Sequence, residues 1–182
     1  MFERRLNILL CVLGLVFALN TNAFAQHFSI GVWQGLKGVG ISSHVPHNNG
    51  TFNSYVVGVD FEKVLFSKSN IPGFAASFAH LLPVLPLRSR EARSLFLYYG
   101  PGVMTGIVRD GDKGAGFVAC LSAVGGIRAT FDKNMELSLE WRANLGVHLT
   151  PNSTESFMVN SALYRAGLER VYLPQLKIHY MF

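Results

Sequence analysis

Three residues in the last third of the chain, His148, Ser153 and Glu155, are of the types that together perform nucleophilic catalysis. In such a site a histidine takes the proton of a serine hydroxyl, and a carboxylate orients the histidine. Ser153 and Glu155 lie in a stretch rich in Thr, Pro, Asn and Ser, which predicts a loop. Serine and glutamate are ordinary loop residues, so the first interpretation is a histidine beside a polar loop. A hydrolytic site is the alternative.

The sequence predicts neither a metal nor a cofactor. His44 and His47 have an H-x-x-H spacing, but no further ligands accompany them, and a metal site needs at least three protein ligands. Cys120 is the one cysteine beyond the first 25 residues, so it cannot form an internal disulfide there. We interpret it as a small buried side chain rather than a nucleophile.

The clearest structural pattern is the segment 136–149, which contains His148. Its odd positions are apolar and its even positions are polar or glycine. Side chains of a strand alternate between two faces, so one face carries the residues Leu137, Leu139, Trp141, Ala143, Leu145, Val147 and Leu149. The other face carries the residues Glu136, Ser138, Glu140, Arg142, Asn144 and His148. A helix would distribute both sets around its circumference, so the pattern predicts a β-strand.

The length of this strand indicates a membrane barrel. A strand of a soluble protein is usually about 5–6 residues long, whereas a strand that crosses a bilayer needs roughly 9–11. The segment 136–149 exceeds both values, with ionic side chains on one face and a continuous apolar surface on the other. These properties are typical of a β-barrel whose outer face contacts lipid and whose lumen is polar.

The rest of the chain agrees with a secreted, single-domain protein. Residues 1–25 have the features of a signal peptide: Arg4 and Arg5, an apolar stretch, and an A-x-A cleavage site ending at Ala25. The predicted mature domain is 26–182. The net charge of the whole chain is +5. The basic residues are scattered and form no patch interleaved with aromatics, so nucleic acid is not an expected partner.

Alternation and turn residues predict eight strands. Pro83 and Pro86 indicate a connection between two of them, and Pro101 predicts a bulge or distortion, because a closed barrel has no free edge to tolerate a missing N–H. Residues 157–169 remain open between strand and loop. With residues 150–172 taken as a loop, the strands are 28–34, 37–45, 54–66, 73–83, 95–108, 116–131, 135–149 and 174–182.

The final strand carries a resemblance to a known family. Its apolar residues alternate and end on a C-terminal phenylalanine, which resembles the assembly signal of bacterial outer-membrane barrels; these residues are Leu176, Ile178, Tyr180 and Phe182. Together with the long alternating strands and the signal peptide, the chain resembles the small eight-stranded outer-membrane proteins of the OmpA/OmpX type. The segments 97–102 and 135–141 are similar to the outer-membrane β-barrel domain proteins of Bacteroidetes-type bacteria.

The resemblance implies an all-β, eight-stranded, up-and-down barrel in the outer membrane of a Gram-negative bacterium. Its implied partners are outer-membrane lipid and the barrel-assembly machinery, which would read the C-terminal strand. An even strand count places both termini in the periplasm, residues 132–134 in a periplasmic turn, and residues 109–115 and 150–172 in external loops.

The resemblance carries no catalytic residues, so the expected function is non-enzymatic, in envelope structure or in adhesion through the external loops. Two alternatives are a lipid A-modifying enzyme using His148, Ser153 and Glu155, and a narrow ion or solute channel. Eight strands leave an interior about the size of packed side chains, so no large pore is expected.

Charges in such an interior must pair, because an unpaired buried charge is costly. Strand parity and hairpin pairing place Arg128, Glu140 and Lys177 on the inner face of three adjacent strands. We predict that these three form an ion cluster in the lumen, with Glu136, Arg142 and His179 nearby.

Overall fold

The chain forms an antiparallel β-sheet that closes on itself. The computed structural model describes residues 28–61, 72–87, 91–110, 114–131, 134–151 and 159–182. The predicted signal peptide lies outside these ranges. The strands of the described residues are β1 Ser29–Gln34, β2 Gly38–Pro46, β3 Phe52–Asp60, β4 Gly73–Leu87, β5 Ser94–Arg109, β6 Ala115–Thr130, β7 Met135–Pro151, β8 Val159–Leu163 and β9 Gln175–Met181.

Eight of these strands make the barrel wall. Neighbours in sequence pair from β1 to β7, and β9 closes the cylinder by pairing with β7 on one edge and β1 on the other. We call the end that carries both termini of the barrel, near Phe28 and Phe182, the lower end. Three connections lie at the lower end of the wall, from β2 to β3, where Gly50 has a φ of 83°, from β4 to β5 and from β6 to β7.

The wall is uneven in height. β5, β6 and β7 have 16 or 17 residues, whereas β1 and β9 have 6 and 7. β9 therefore covers only the lower part of the edge of β7, from Met135 to Glu140. The upper part pairs with β8, from Val147 to Pro151. After β8 the chain turns at Tyr164 into a short helix, α1 (Arg165–Glu169), and a 3-10 turn, Arg170–Tyr172.

The two faces of the wall have the polarity predicted from the alternation. Along β7, the even-numbered polar side chains from Glu136 to Asn144, and His148, are buried. Large apolar side chains point outwards and are exposed on most strands; among them are Val32, Ile41, Phe74, Tyr99, Val103, Phe117, Leu121, Leu145, Ile178 and Tyr180. Within the described residues, no helix has both the length and the hydropathy needed to cross a bilayer.

Proline positions correct two sequence predictions. β4 does not end at Pro83 but continues through Pro86 to Leu87. Beyond Leu81 it has no partner on the β3 side, so a missing N–H costs nothing along that edge. At Pro101 no bulge forms: β5 keeps one register with β6 through this residue, the β4–β5 pairing skips Gly100 and Pro101 and resumes in the same register, and the register shift lies between Pro83 and Leu85.

The segment 157–169 is neither a ninth barrel strand nor a loop throughout. Residues 159–163 form β8, which extends β7 above the barrel, and α1 brings the chain back towards the start of β9. Because β8 lies outside the closed cylinder, the barrel keeps eight strands. The strand directions are those expected for both termini at the same end.

Candidate functional site

The polar lumen is the candidate site, and β7 supplies its central row of side chains. Glu136, Glu140 and Arg142 follow one another up the inner face of this strand, with Ser138 between the two glutamates. Ser138 faces Arg128 on β6 and Lys177 on β9, which flank β7. Each cation can therefore reach a glutamate either above or below Ser138.

Arg128 reaches downwards to Glu136. Its guanidinium forms an ion pair with Glu136 Oε2 and lies 4.7 Å from the centre of the Phe52 ring and 5.5 Å from that of Phe96. The other carboxylate oxygen, Oε1, accepts a 2.7 Å hydrogen bond from His44 Nδ1, and His179 Nδ1 lies 3.4 Å from it. We call His44, Arg128, Glu136 and His179 the Glu136 group.

Lys177 reaches upwards to Glu140. Its Nζ lies 2.8 Å from Glu140 Oε1, and Arg142 Nη2 donates to the same oxygen at 2.9 Å. Tyr98 donates its hydroxyl to Oε2 at 3.2 Å, and the second Arg142 nitrogen, Nη1, donates to Ser77. We call Tyr98, Glu140, Arg142 and Lys177 the Glu140 group.

These two groups contain all six residues of the predicted ion cluster. Of the three residues predicted to form the cluster, the structure brings Lys177 to Glu140 but places Arg128 against Glu136, and Arg142, expected only nearby, pairs with Glu140. Both carboxylates and Lys177 are fully buried. Three basic side chains, Arg128, Arg142 and Lys177, face two carboxylates in the two groups, so the removal of either glutamate would leave a buried cation without its counter-ion.

Sequence reasoning missed two participants, His44 and Tyr98. The H-x-x-H spacing associates His44 only with His47, but the structure turns His44 into the lumen, while His47 lies in the turn with its ring centre 5.9 Å from that of His80. The alternation of β2, in which Gly40, Ser42 and His44 share a face, could have identified His44. Tyr98 could likewise have been assigned from its position one residue before the outward-facing Tyr99.

The upper lumen is filled by an apolar plug that a loop segment provides. Tyr164, between β8 and α1, is fully buried and packs with side chains from β5 and β6, which are Met104, Val108, Val118 and Cys120. Ala166 of α1 belongs to the same cluster. The Asp110 carboxylate accepts the backbone N–H of Arg165 at 3.2 Å and that of Ala166 at 2.9 Å. We call Tyr164 and α1 the upper plug.

His148, which the sequence suggests is a histidine beside a polar loop, lies inside the lumen. His148 is fully buried beneath the upper plug, with its ring centre 6.4 Å from that of Tyr164. Its Nε2 lies 3.0 Å from the carbonyl oxygen of Val108, so Nε2 carries the proton. Ser153 and Glu155 lie outside the described residues. The geometry of His148 is that of a packed lumen side chain.

A small cavity remains between the plug and the short side of the barrel. Its volume is about 60 Å³, and Trp33, Ser77, Arg142 and Gln175 are among its lining residues. Trp33 points into the lumen and donates from Nε1 to the carbonyl of Val57 at 3.2 Å. A cavity of this size holds a few water molecules.

Cys120 is buried in the wall of the upper lumen and makes no disulfide within the described residues. The four residues of the proposed assembly signal, Leu176, Ile178, Tyr180 and Phe182, are all exposed. Phe182 stacks on Phe28 with ring centres 5.1 Å apart, which joins the last residue to the strand that begins the barrel.

Comparison with known proteins found similarity to one solved structure. No family model matches the chain, and no curated protein matches it. The chain is similar to Ail, the attachment invasion locus protein of Yersinia pestis, with 14% sequence identity and a TM-score of 0.38, over 86% of this chain and 97% of that one. By its own geometry, the chain is a closed eight-stranded antiparallel β-barrel with ionic side chains inside and apolar side chains outside, the architecture of the small barrels of outer membranes.

Proposed function

We propose that the chain is an integral protein of a bacterial outer membrane that acts without catalysis, by presenting the upper end of its barrel outside the cell. The observation that carries this proposal is the inverted distribution of polarity. Glu136, Glu140 and Lys177 are fully buried, while Leu121 is 71% exposed on the opposite face of the same wall.

The energetics of the outer face favour a lipid environment. Transfer of one large apolar side chain out of water is worth about 1.5–3 kcal/mol, and the wall exposes such side chains on most strands. The backbone has the complementary property, because closure gives the wall strands hydrogen-bonded neighbours on both sides over most of their length. An unpaired N–H or C=O in lipid would cost several kcal/mol.

The outward row of the last strand supports a role in insertion. Leu176, Ile178 and Tyr180 alternate with the inward-facing Lys177 and His179, so the strand is apolar towards lipid and ionic towards the lumen. In the proposal, this row is also what the barrel-assembly machinery recognises. Removal of residues 1–25 during export completes the proposed route.

The geometry gives less support to the two alternative functions. A lipid A-modifying enzyme would need an accessible base, and His148 is buried with its Nε2 proton committed to a backbone carbonyl. A conduit would need a continuous aqueous path, and Tyr164 fills the upper lumen. The proposed function, which is to present the upper connections outside the cell, requires neither a catalytic base nor an aqueous path; these connections include residues 111–113 and 152–158.

A pair of cysteine variants tests the location and orientation together. Leu36, 72% exposed, lies in the turn between β1 and β2 at the upper end, and Asn49 lies in the turn between β2 and β3 at the lower end. Leu36→Cys and Asn49→Cys are each made with Cys120→Ser and expressed in a Gram-negative host. Intact cells are then treated with a membrane-impermeant maleimide.

We expect the reagent to label Leu36→Cys on intact cells and to label Asn49→Cys only after the outer membrane is broken. Heat-dependent migration on a gel verifies that both variants fold as barrels. Labelling of Asn49→Cys alone would reverse the orientation. Recovery of both variants in the soluble fraction would contradict the proposed membrane location.

A further inference from the structure

Two histidines and one glutamate from three strands meet at the lower end of the lumen. His44 belongs to β2, Glu136 to β7 and His179 to β9, and one candidate ligand atom from each lies within 4.8 Å of the others. All three side chains are buried, at 0%, 0% and 1% exposure. Two imidazoles and a carboxylate form a common set of protein ligands for zinc.

One carboxylate oxygen is the focus of this arrangement. The Nδ1 atom of His44 lies 2.7 Å from Glu136 Oε1, and the Nδ1 atom of His179 lies 3.4 Å from the same oxygen. Bonds of about 2.0–2.1 Å at a tetrahedral angle place two ligand atoms roughly 3.3 Å apart. The two separations lie on either side of this value, and all three candidate ligand atoms lie within 4.8 Å of one another, so the side chains need to move by about 1.5 Å at most to share an ion.

Two buried nitrogens of this set lack hydrogen bonds. His44 Nε2 and His179 Nδ1 have no hydrogen-bond partner among the described residues. A buried polar atom without a partner destabilises the fold, because it has lost its hydrogen bonds to water. A cation bound by His179 Nδ1, Glu136 Oε1 and His44 Nδ1 would give His179 Nδ1 a partner, although His44 Nε2, on the other side of its ring, would keep none.

The surrounding residues hold the candidate ligands in place. Ser42 Oγ lies 2.8 Å from His179 Nε2, which leaves Nδ1 of that ring directed at Glu136. Arg128 binds Glu136 Oε2 and leaves Oε1 towards the imidazoles. Hydrogen bonds of this kind from neighbouring groups orient the ligands of most protein metal sites.

We propose that His44, Glu136 and His179 bind one divalent transition-metal ion of the zinc class. Magnesium and calcium prefer six or more oxygen ligands, and the site offers only one carboxylate. The positive charges of Arg128 and Lys177 oppose any dication, and only a metal such as zinc, cobalt or copper offsets this repulsion through partly covalent bonds to imidazole nitrogen.

The proposed ion would fasten the seam at which the barrel closes. β1 lies between β2 and β9, and β9 pairs in turn with β7. Three bonds to one ion would therefore connect the first hairpin to the last two strands. This role is separate from the proposed membrane function, because the ion would stabilise the closed barrel in detergent as well as in a membrane.

Cobalt titration of the folded barrel in detergent micelles tests the site. Co²⁺ reports nitrogen and oxygen ligands through its visible absorption, and Zn²⁺ then displaces it. We expect one Co²⁺ per chain, and binding at least tenfold weaker in His179→Gln and in His44→Gln. The matched control is His148→Gln, a buried lumen histidine outside the set, which should bind Co²⁺ like the parent chain.

Two results would overturn the proposal. One is the absence of saturable Co²⁺ and Zn²⁺ binding by the parent chain, which would mean that His44, Glu136 and His179 bind only one another and no metal ion. The other is unchanged affinity in His179→Gln. If the ligand variants fail to fold, Ser42→Ala decides, because it keeps all three ligands but releases the His179 ring: weaker binding by roughly 10–100-fold supports the site, and unchanged binding contradicts it.

Discussion

The lower and upper halves of the lumen are filled by different means. In the lower half, ionic side chains of barrel strands pair with one another, as in the Glu136 and Glu140 groups. In the upper half, a segment outside the barrel wall inserts Tyr164 among apolar side chains. The lower half cannot rearrange without opening the barrel, whereas the upper plug can leave while every wall strand stays paired. We therefore expect substitutions in the lower half to change the stability of the whole barrel, and substitutions in the upper plug to change only that segment.

The largest effect is expected from Glu140→Ala. It leaves Lys177, fully buried, without its counter-ion, and deprives Arg142 of one of its two partners. Loss of one member of a buried ion pair costs about 3–5 kcal/mol. We expect the free energy of unfolding in urea to fall by that amount for the whole barrel. Glu140→Gln, which keeps the size but removes the charge, should lose nearly as much; a much smaller loss would mean that packing rather than charge is responsible.

Tyr164→Ala should act locally. An aromatic residue replaced by alanine in a core costs about 3–5 kcal/mol, but here the plug can detach without unfolding the wall. We therefore expect the midpoint of barrel unfolding to change little. The rate at which Cys120 reacts with a maleimide should rise at least tenfold, because Tyr164 packs against this buried thiol.

Tyr164→Phe is the control for that prediction. It keeps the ring in the upper lumen and should leave Cys120 protected. Barrel unfolding at a much lower urea concentration in Tyr164→Ala would show that the two halves are one cooperative unit.

The smallest effect is expected from Asp110→Ala. The Asp110 carboxylate accepts two N–H groups at the start of α1, and loss of a capping residue costs about 0.5–2 kcal/mol. Hydrogen exchange at the amides of Arg165 and Ala166 should become faster by a matching factor. Exchange in β6 should not change, and faster exchange there would refute the separation of plug from wall.

The lower half could be predicted from the sequence because strand parity alone assigns its residues. The inner face of β7 and the inward positions of Arg128 and Lys177 follow from the alternation. The partner of Arg128 does not, because Arg128 faces Ser138 and both glutamates are one step away on the diagonal. The rings of Phe52 and Phe96, from other strands, lie against the guanidinium on the side of Glu136. The alternation of residues along one strand contains no information about contacts between its side chains and those of other strands.

The upper half could not be predicted in the same way. β8 has five residues and pairs only with the upper end of β7, and α1 is a single short helix. Segments this short carry too few residues to establish a period. The insertion of Tyr164 depends on a tertiary contact, the Asp110 carboxylate, which is 55 residues away in sequence from Arg165. The sequence therefore gives no sign that Tyr164 covers His148.

The most direct measurement of the central claim is tryptophan quenching in vesicles of brominated lipid. Trp141 is on the outward face of β7, between Leu139 and Ala143, and Trp33 points into the lumen. Trp33→Phe retains only Trp141, and Trp141→Phe retains only Trp33. We predict strong quenching of Trp141 and weak quenching of Trp33. Equal quenching of the two, or stronger quenching of Trp33, would contradict a barrel with a lipid-facing outer wall and an ionic lumen.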